Sequence, residues 1–493
     1  MNKIVKPTLY SPAGDISKGL SAIFFGADGI YLGLDKFGLR KTANLDLVSV
    51  ERLIKYCHKL NKKVDITLNA YLKNDEINDF KNYLKNILLL NPDSIIFSDP
   101  SVIILYEQII EELFNNKTIK KLPSLTLSTQ SNTTNYYSMK FWNRHNVKRI
   151  VAARELSLEE IFQIKREAIK EGLKFELETF IHGAMCISLS GRCLLSLYMT
   201  NKKFSKKGSE NTRDANHGEC VHPCRFAYLV EQSREGEYFP IEEDGRYTYI
   251  LSSKDLCLLY YIPLLMFSKI DAFKIEGRMK SSFYTSTITF AYRKAIDKAY
   301  EMFLDIELED KILLYYFKNP LLFLEDFPDW KNFVNEIKIF TELASHRPYT
   351  TGFYFNQEFP DYMMPLYESK LIQPYLIVAE HIKNEIDEKN FKSESLETEK
   401  DYKIKPDQFI ILAKNSIKIE NSRLFLFSKN GISEIKNYKI FDSLNNKISL
   451  LQHSKYYKIE FDKDFLSLVN LNEDQIFFIF TENKNYLEKR LID

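Results

Sequence analysis

TLYSPAGDISKGLSAIFFGADGIYLG (residues 8–33) sets two short β-type runs, TLYSPAG (8–14) and GIYLG (29–33), on either side of a helical stretch, SKGLSAIFFGA (17–27). A strand, a crossover helix and a second strand make the unit of a parallel sheet. The alternation continues outward from there. After Leu45, the residues Val48, Leu53, Ile54, Cys57 and Leu60 fall at helical spacing, and KVDITLNA (63–70) follows as a strand. SIIFSDP (94–100), SLTLSTQ (124–130), KRIVAAR (148–154), KFELETFIHG (174–183) and DAFKIEGR (271–278) bring the strands to eight, with a helix expected over 281–301. Eight strands separated by helices predict an α/β fold, a (β/α)8 TIM-barrel-like domain.

That fold places its active face at the C-terminal edge of the strands. The polar residues closing the runs are Ser11, Asn69, Ser98, Asp99, Ser128, Gln130, Arg154, Glu178, His182, Lys274, Glu276 and Arg278. They are expected to converge on one rim. Lys274, Glu276 and Arg278 alternate at strand spacing, so they share a face, either as a charge network or as a seat for an anionic dicarboxylate. His182, Glu178, Lys274, Glu276 and Arg278 are the candidate catalytic residues. Gln130, Arg154, Lys274, Arg278 and Arg40 are the candidate substrate contacts.

Four of the six cysteines fall between Glu178 and Arg225: Cys186, Cys193, Cys220 and Cys224. Gly183, Gly191 and Gly218 each stand within three residues of one of them. Gathered thiols beside glycines suit a soft metal or an iron–sulfur cluster. Their spacings match no zinc knuckle, yet a structural zinc site stays open as the alternative. Cys57, on the apolar face of a helix, reads as core. Between the pairs, NKKFSKKGSENTR (201–213) carries five basic residues against one acidic, and reads as a solvated loop or as a flap that touches phosphates.

The chain has 493 residues, 45% hydrophobic, with 36 Phe, 30 Tyr and a net charge of +1. It is long enough for a barrel plus a smaller unit. The charge is no polycation, so a nucleic-acid contact has to be a local patch. The start has no signal-peptide core and no run reaches the roughly 18 apolar residues of a membrane span, so the chain is expected to be cytoplasmic, with no membrane partner. In a reducing compartment clustered cysteines point to metal or redox chemistry. The expected organisation is a barrel over 1–305 with a cysteine-rich insertion, 184–270, after strand seven. A helical connector, 306–355, follows and ends in SHRPYTTGFY (345–354). A small β-rich C-terminal domain, 356–493, contains a charged linker or loop at 383–405.

HGAMCISLSGRCLLS, DANHGECVHPCR, SSKDLCLL and FKIEGRMKS, in that order, resemble the collagenase-like peptidases, family thirty-two of the unclassified (U) peptidases. SPAG, GADGIYLG, FGLR, LSTQSNTTN (127–135) and ARELSLEE (153–160) look like the same family, over roughly residues 8–355. SHRPYTTGFY is similar to a segment of its longer bacterial members, the tRNA hydroxylation proteins. The resemblance implies a 4Fe–4S protein acting in 5-hydroxylation of the tRNA wobble uridine by a prephenate-dependent route. Its implied partners are tRNA, a small anionic metabolite and a related subunit. The ligands it implies are Cys186, Cys193, Cys220 and Cys224, with Cys257 as the alternative to Cys224. Leu189 stands where an aromatic is common in the family, and His217 where arginine is common. The competing readings are a peptidase and a zinc-stabilised, non-catalytic binding protein. For the first, His182 and Cys186 would be base and nucleophile, although neither HExxH nor GxSxG is present.

Overall fold

In the computed structural model, the residues described are 2–39, 45–115, 121–186, 188–200, 213–217, 219–220, 242–243, 248–249, 252–355, 365–366, 376–381, 408–413, 416–419, 422–442, 446–461 and 477–481. Each of the eight expected runs forms a strand. These are β1 (Thr8–Ala13), β2 (Gly29–Gly33), β3 (Lys63–Leu68), β4 (Ser94–Phe97), β5 (Ser124–Leu127), β6 (Val147–Val151), β7 (Glu176–Ala184) and β8 (Ala272–Ile275). All neighbours pair in parallel, and β8 bonds to both β1 and β7, which closes the barrel. The strands are buried on both faces, which is why they read as apolar runs.

Helices α1 (Ile16–Phe24), α2 (Leu47–Lys59), α3 (Ile77–Leu89), α4 (Ser101–Asn115), α5 (Tyr136–Arg144) and α6 (Leu158–Lys170) join the first seven strands. Their starts are chemically marked. Asp15, Asp46 and Asn135 each accept from a backbone N–H three residues on, and Ser157 with Glu160 forms a reciprocal capping box. The helix after Leu45 differs in phase from the expected face. Val50, Leu53, Ile54 and Cys57 are buried at i, i+3, i+4 and i+7, while Val48 and Leu60 are exposed. Cys57 is core.

The segment after β7 holds a short helix, α7 (Leu195–Thr200), then a strand, Asp255–Cys257, antiparallel to the end of β7. Helix α8 (Ile262–Phe267) then leads into β8, and α9 (Ser282–Phe303) follows it. Helices α10 (Asp310–Lys318), α11 (Pro320–Asp326) and α12 (Pro328–Ile337) pack back on the barrel. Phe303 meets the rings of Phe323, Phe327 and Trp330, and the Trp330 indole donates to the Tyr260 carbonyl at 2.8 Å. SHRPYTTGFY then adds a strand, Tyr349–Thr350, beside Asp255–Cys257. There Arg347 donates to buried Asp255 through Nε at 3.0 Å and a terminal nitrogen at 2.7 Å.

Two compact units result: Met1–Thr341 with Ser345–Ile372, and Glu342–Ala344 with Gln373–Asp493. The second contains a seven-stranded antiparallel sheet, in the order Gly431–Ile435, Arg423–Ser428, Phe477–Thr481, Leu376–His381, Gln408–Ala413, Tyr456–Phe461 and Tyr438–Phe441. Ile411, Leu424, Leu426, Ile459 and Phe478 form the centre of its core. The charged stretch 383–405 lies outside the described residues. No helix among the described residues is long and apolar enough to cross a membrane.

Candidate functional site

Alternation along a strand sends every second side chain into the barrel, and several of those inward positions are charged. On β3 Asp65 meets the Arg149 guanidinium of β6. Arg149 Nε lies 3.0 Å from Glu178 of β7, whose other oxygen accepts from the Lys274 ammonium of β8 at 2.7 Å. Two aromatic rings floor this chain of charges: Arg149 sits 4.2 Å from the Tyr10 ring and Lys274 4.3 Å from the Tyr31 ring. Burial raises the Asp65 carboxyl to about 6 against the pull of Arg149. Burial works the same way on Glu178, but Lys274 and Arg149 together hold it below its ordinary range.

Above this network a cavity of about 320 Å³ opens at the C-terminal ends of the strands. Its walls include Asn69, Ser128, Gln130, Arg154, Lys274, Glu276 and Arg278, all expected at the rim. Arg278 donates to Thr67 Oγ1 at 2.8 Å, and the Arg154 guanidinium lies over the Phe180 ring at 4.5 Å. Gln130 is held by Asn69 at 3.2 Å. Ile96, Val151, Phe180 and Met185 supply the apolar part of the wall. Lys280 also lines it, so cations outnumber the Glu276 carboxylate, and the pocket suits an anion with an apolar body.

Cys186, Cys193 and Cys220 line the same cavity. Residues far apart in sequence brace the loops that bring them there. Ser190, in the left-handed conformation, donates to Glu155 through its N–H at 2.6 Å and its hydroxyl at 2.7 Å. The Asn216 side chain accepts from the Cys193 N–H at 3.2 Å and donates to its carbonyl at 3.1 Å, tying Cys193 to the segment that carries Cys220. Two donors point at sulfur: the Leu195 N–H at 3.4 Å from Cys193 Sγ, and the Ser196 hydroxyl at 3.8 Å from Cys220 Sγ. Cys224 and Gly218 lie outside the described residues, as do Arg40 and the basic stretch 201–212. Cys257 does not line the cavity; it pairs with His182 across the sheet, and the Tyr292 hydroxyl donates to its sulfur at 3.7 Å.

His182, Ser11, Ser98 and Asp99 do not reach the cavity, and Glu178 lies beneath it. Ser11 faces outward and shares a 2.7 Å hydrogen bond with Thr289 of α9. Asp99 accepts from the Ser101 and Leu72 N–H groups. For His182 the cause is a one-residue irregularity in the β7–β8 register. Lys274 is opposite Phe180, but Ile275 is opposite His182, so the alternation that turns Glu178 and Phe180 inward breaks at Ile181. His182 therefore packs among Tyr284, Tyr292 and Tyr349, with Nδ1 3.2 Å from the Tyr292 hydroxyl. Burial depresses its pKa to about 3, leaving a neutral ring that does not line the cavity where Cys186 stands.

The site also uses residues that the rim reading passed over. Asp65 and Arg149 are charges inside otherwise apolar strands, a signal visible in KVDITL and VKRIV. Tyr31, Glu155 and Asn216 carry no such mark, because their roles depend on neighbours remote in sequence.

A closed parallel barrel thus carries three thiols and a cationic pocket at its strand ends, the face where barrel enzymes hold their active sites. The chain belongs to peptidase family U32, which matches residues 14–319. It is 34% identical over 293 residues to tRNA hydroxylation protein P1 of Bacillus subtilis, a stretch that is 59% of this chain and 63% of that protein. It is 34% identical over 354 residues to an uncharacterized protease of Methanocaldococcus jannaschii, covering 71% of this chain and 74% of the relative. A 23S rRNA 5-hydroxycytidine synthase of Escherichia coli is 30% identical over 293 residues, 59% of this chain and 40% of the synthase. The chain thus spans under two thirds of P1 and of the synthase.

Proposed function

We propose that this chain is an iron–sulfur protein of RNA modification, acting in prephenate-dependent 5-hydroxylation of the wobble uridine of tRNA. The observation that carries the reading is that Cys186, Cys193 and Cys220 all line one cationic pocket, although no three ligating side chains among the described residues are gathered closely enough to hold a metal ion. The names of two relatives, one for tRNA hydroxylation and one for 5-hydroxycytidine synthesis, support it. Cys186, Cys193, Cys220 and Cys224 would hold a 4Fe–4S cluster; Cys257, the alternative to Cys224, stands off the cavity that the first three line. All-thiolate donor sets suit such a cluster, and donors aimed at sulfur, as at Cys193 and Cys220, tune its potential. The bound cluster would supply one-electron redox chemistry at the pocket.

The protein's own residues would bind and orient. Arg278 and Arg154 are placed to take carboxylates, as guanidinium forks do. Lys274, fixed by Glu178 from below, adds its charge to the field. Ile96, Val151, Phe180 and Met185 would enclose the unsaturated ring of a prephenate-like dicarboxylate and exclude water. A cysteine-peptidase reading is weakened, because burial makes His182 a poor proton acceptor and its ring packs against the tyrosines.

Anaerobic purification tests the reading, with an absorption spectrum and iron, sulfide and zinc assays. A band near 400 nm with about four irons and four sulfides is expected. Cys193→Ser should lose it, and cells carrying that variant should lack 5-hydroxylated wobble uridine by mass spectrometry of tRNA. Stoichiometric zinc without iron would overturn the proposal.

A further inference from the structure

The opposite, N-terminal end of the barrel holds a second cavity, of about 570 Å³, lined by Lys63, Lys121, Lys148, Arg149 and Lys174. Its size is that of a small-ligand site. The basic residues arrive by one repeated device. Lys63 opens β3, Lys121 precedes β5, Lys148 is the second residue of β6, and Lys174 precedes β7. Closure of the barrel turns these strand starts, distant in sequence, into a ring around one opening.

Of the three carboxylates that share the cavity, Asp65 and Asp93 are matched. Asp65 pairs with Arg149. Asp93 accepts from Lys121 at 3.0 Å, from the Val64 N–H at 2.9 Å, and lies 2.9 Å from His58. Glu176, half-exposed on the rim, is 3.9 Å from Arg149, which already serves Asp65 and Glu178. Lys63, Lys148 and Lys174 are exposed, and none of them forms an ion pair among the described residues. Three lysines against the one exposed carboxylate, Glu176, leave an excess of positive charge on one concave surface, and a multivalent anion relieves the repulsion among them. Ser94 and Ser124 add hydroxyls to the wall. Cations with hydroxyls, and no apolar floor beyond Tyr10, Phe175 and Leu122, suit phosphoryl oxygens better than a hydrophobic ligand.

We infer that the N-terminal mouth of the barrel is a phosphoryl-anion site, with Lys63, Lys148 and Lys174 as its contacts. The phosphates belong either to an RNA backbone or to a free oligophosphate. The site is separate from the cysteine pocket, and its test does not depend on the cluster or on hydroxylation activity.

The experiment compares the full-length protein with the K63A/K148A/K174A variant, using inorganic tripolyphosphate and a short single-stranded oligoribonucleotide as separate probes. The variant should melt with the parent protein, since the three side chains are exposed and form no ion pair among the described residues. If the source is a free oligophosphate, tripolyphosphate binding weakens by about tenfold or more, as removal of charge-assisted hydrogen bonds requires, and RNA affinity is unchanged. If the source is RNA, the slope of log affinity against log salt becomes shallower by about 2, at roughly 0.7 for each phosphate no longer neutralised. Equal tripolyphosphate affinity and equal RNA salt slopes in the two proteins would overturn the assignment.

Discussion

His182 shows how one residue's environment fixes its chemistry. Its ring is buried among three tyrosines and its pKa falls from 6.5 to about 3. In the unfolded chain it takes up a proton as pH falls through 6.5; in the folded chain it does so only near 3. The unfolded state therefore binds more protons across that window, and His182 makes the protein less stable as pH falls. Asp65, raised to about 6, works in the opposite sense between its ordinary 3.8 and 6, because there the folded state holds the extra proton. A His182→Gln variant removes the first effect and leaves the second. Urea denaturation at pH 7, 6 and 5 should show the wild type losing stability relative to that variant by about 1.4 kcal/mol per pH unit below roughly 6.5. A constant difference across that range would mean that the ring titrates as in water.

At the scale of elements, the end of β7 carries the site. Gly183 has φ +108°, and a Cβ there would run into the Glu276 carbonyl oxygen, so the turn toward Cys186 and the loop after β8 can approach only over a glycine. Gly172 has φ +68° with nothing within 4 Å of where a Cβ would stand, so it isolates the backbone effect. Gly172→Ala should cost about 1 kcal/mol, the ordinary left-handed penalty. Gly183→Ala should cost more, about 1–3 kcal/mol from the backbone with the steric overlap added. Equal melting shifts for the two would refute the close-approach account. The eight strands were legible, since apolar runs of strand length are local signals, and so was the crowding of cysteines after β7, of which Cys186, Cys193 and Cys220 line the cavity. The place of His182 was not, because a one-residue bulge in β7 is decided by its pairing with β8.

For the whole molecule, the chain divides after Ile372, leaving the barrel with its cysteine segments and SHRPYTTGFY in one unit and the seven-stranded sheet in the other. Each has its own buried core, so each should unfold as its own cooperative step. Calorimetry of the full chain is expected to show two transitions, and a chain ending at residue 372 to keep only the barrel's. A single transition that disappears altogether on truncation would show that the barrel cannot fold alone. The sequence by itself determined the barrel, the β-rich second unit and the gathering of thiols, because hydrophobic period and cysteine spacing are properties of neighbouring residues. Only the tertiary structure decided that Cys186, Cys193 and Cys220 share a pocket with Arg154 and Arg278, that Asp65, Arg149, Glu178 and Lys274 form one buried chain, and that scattered lysines ring the other mouth. Those groupings arise when strand ends far apart in sequence are brought together by closure of the sheet, and a linear pattern does not record that distance.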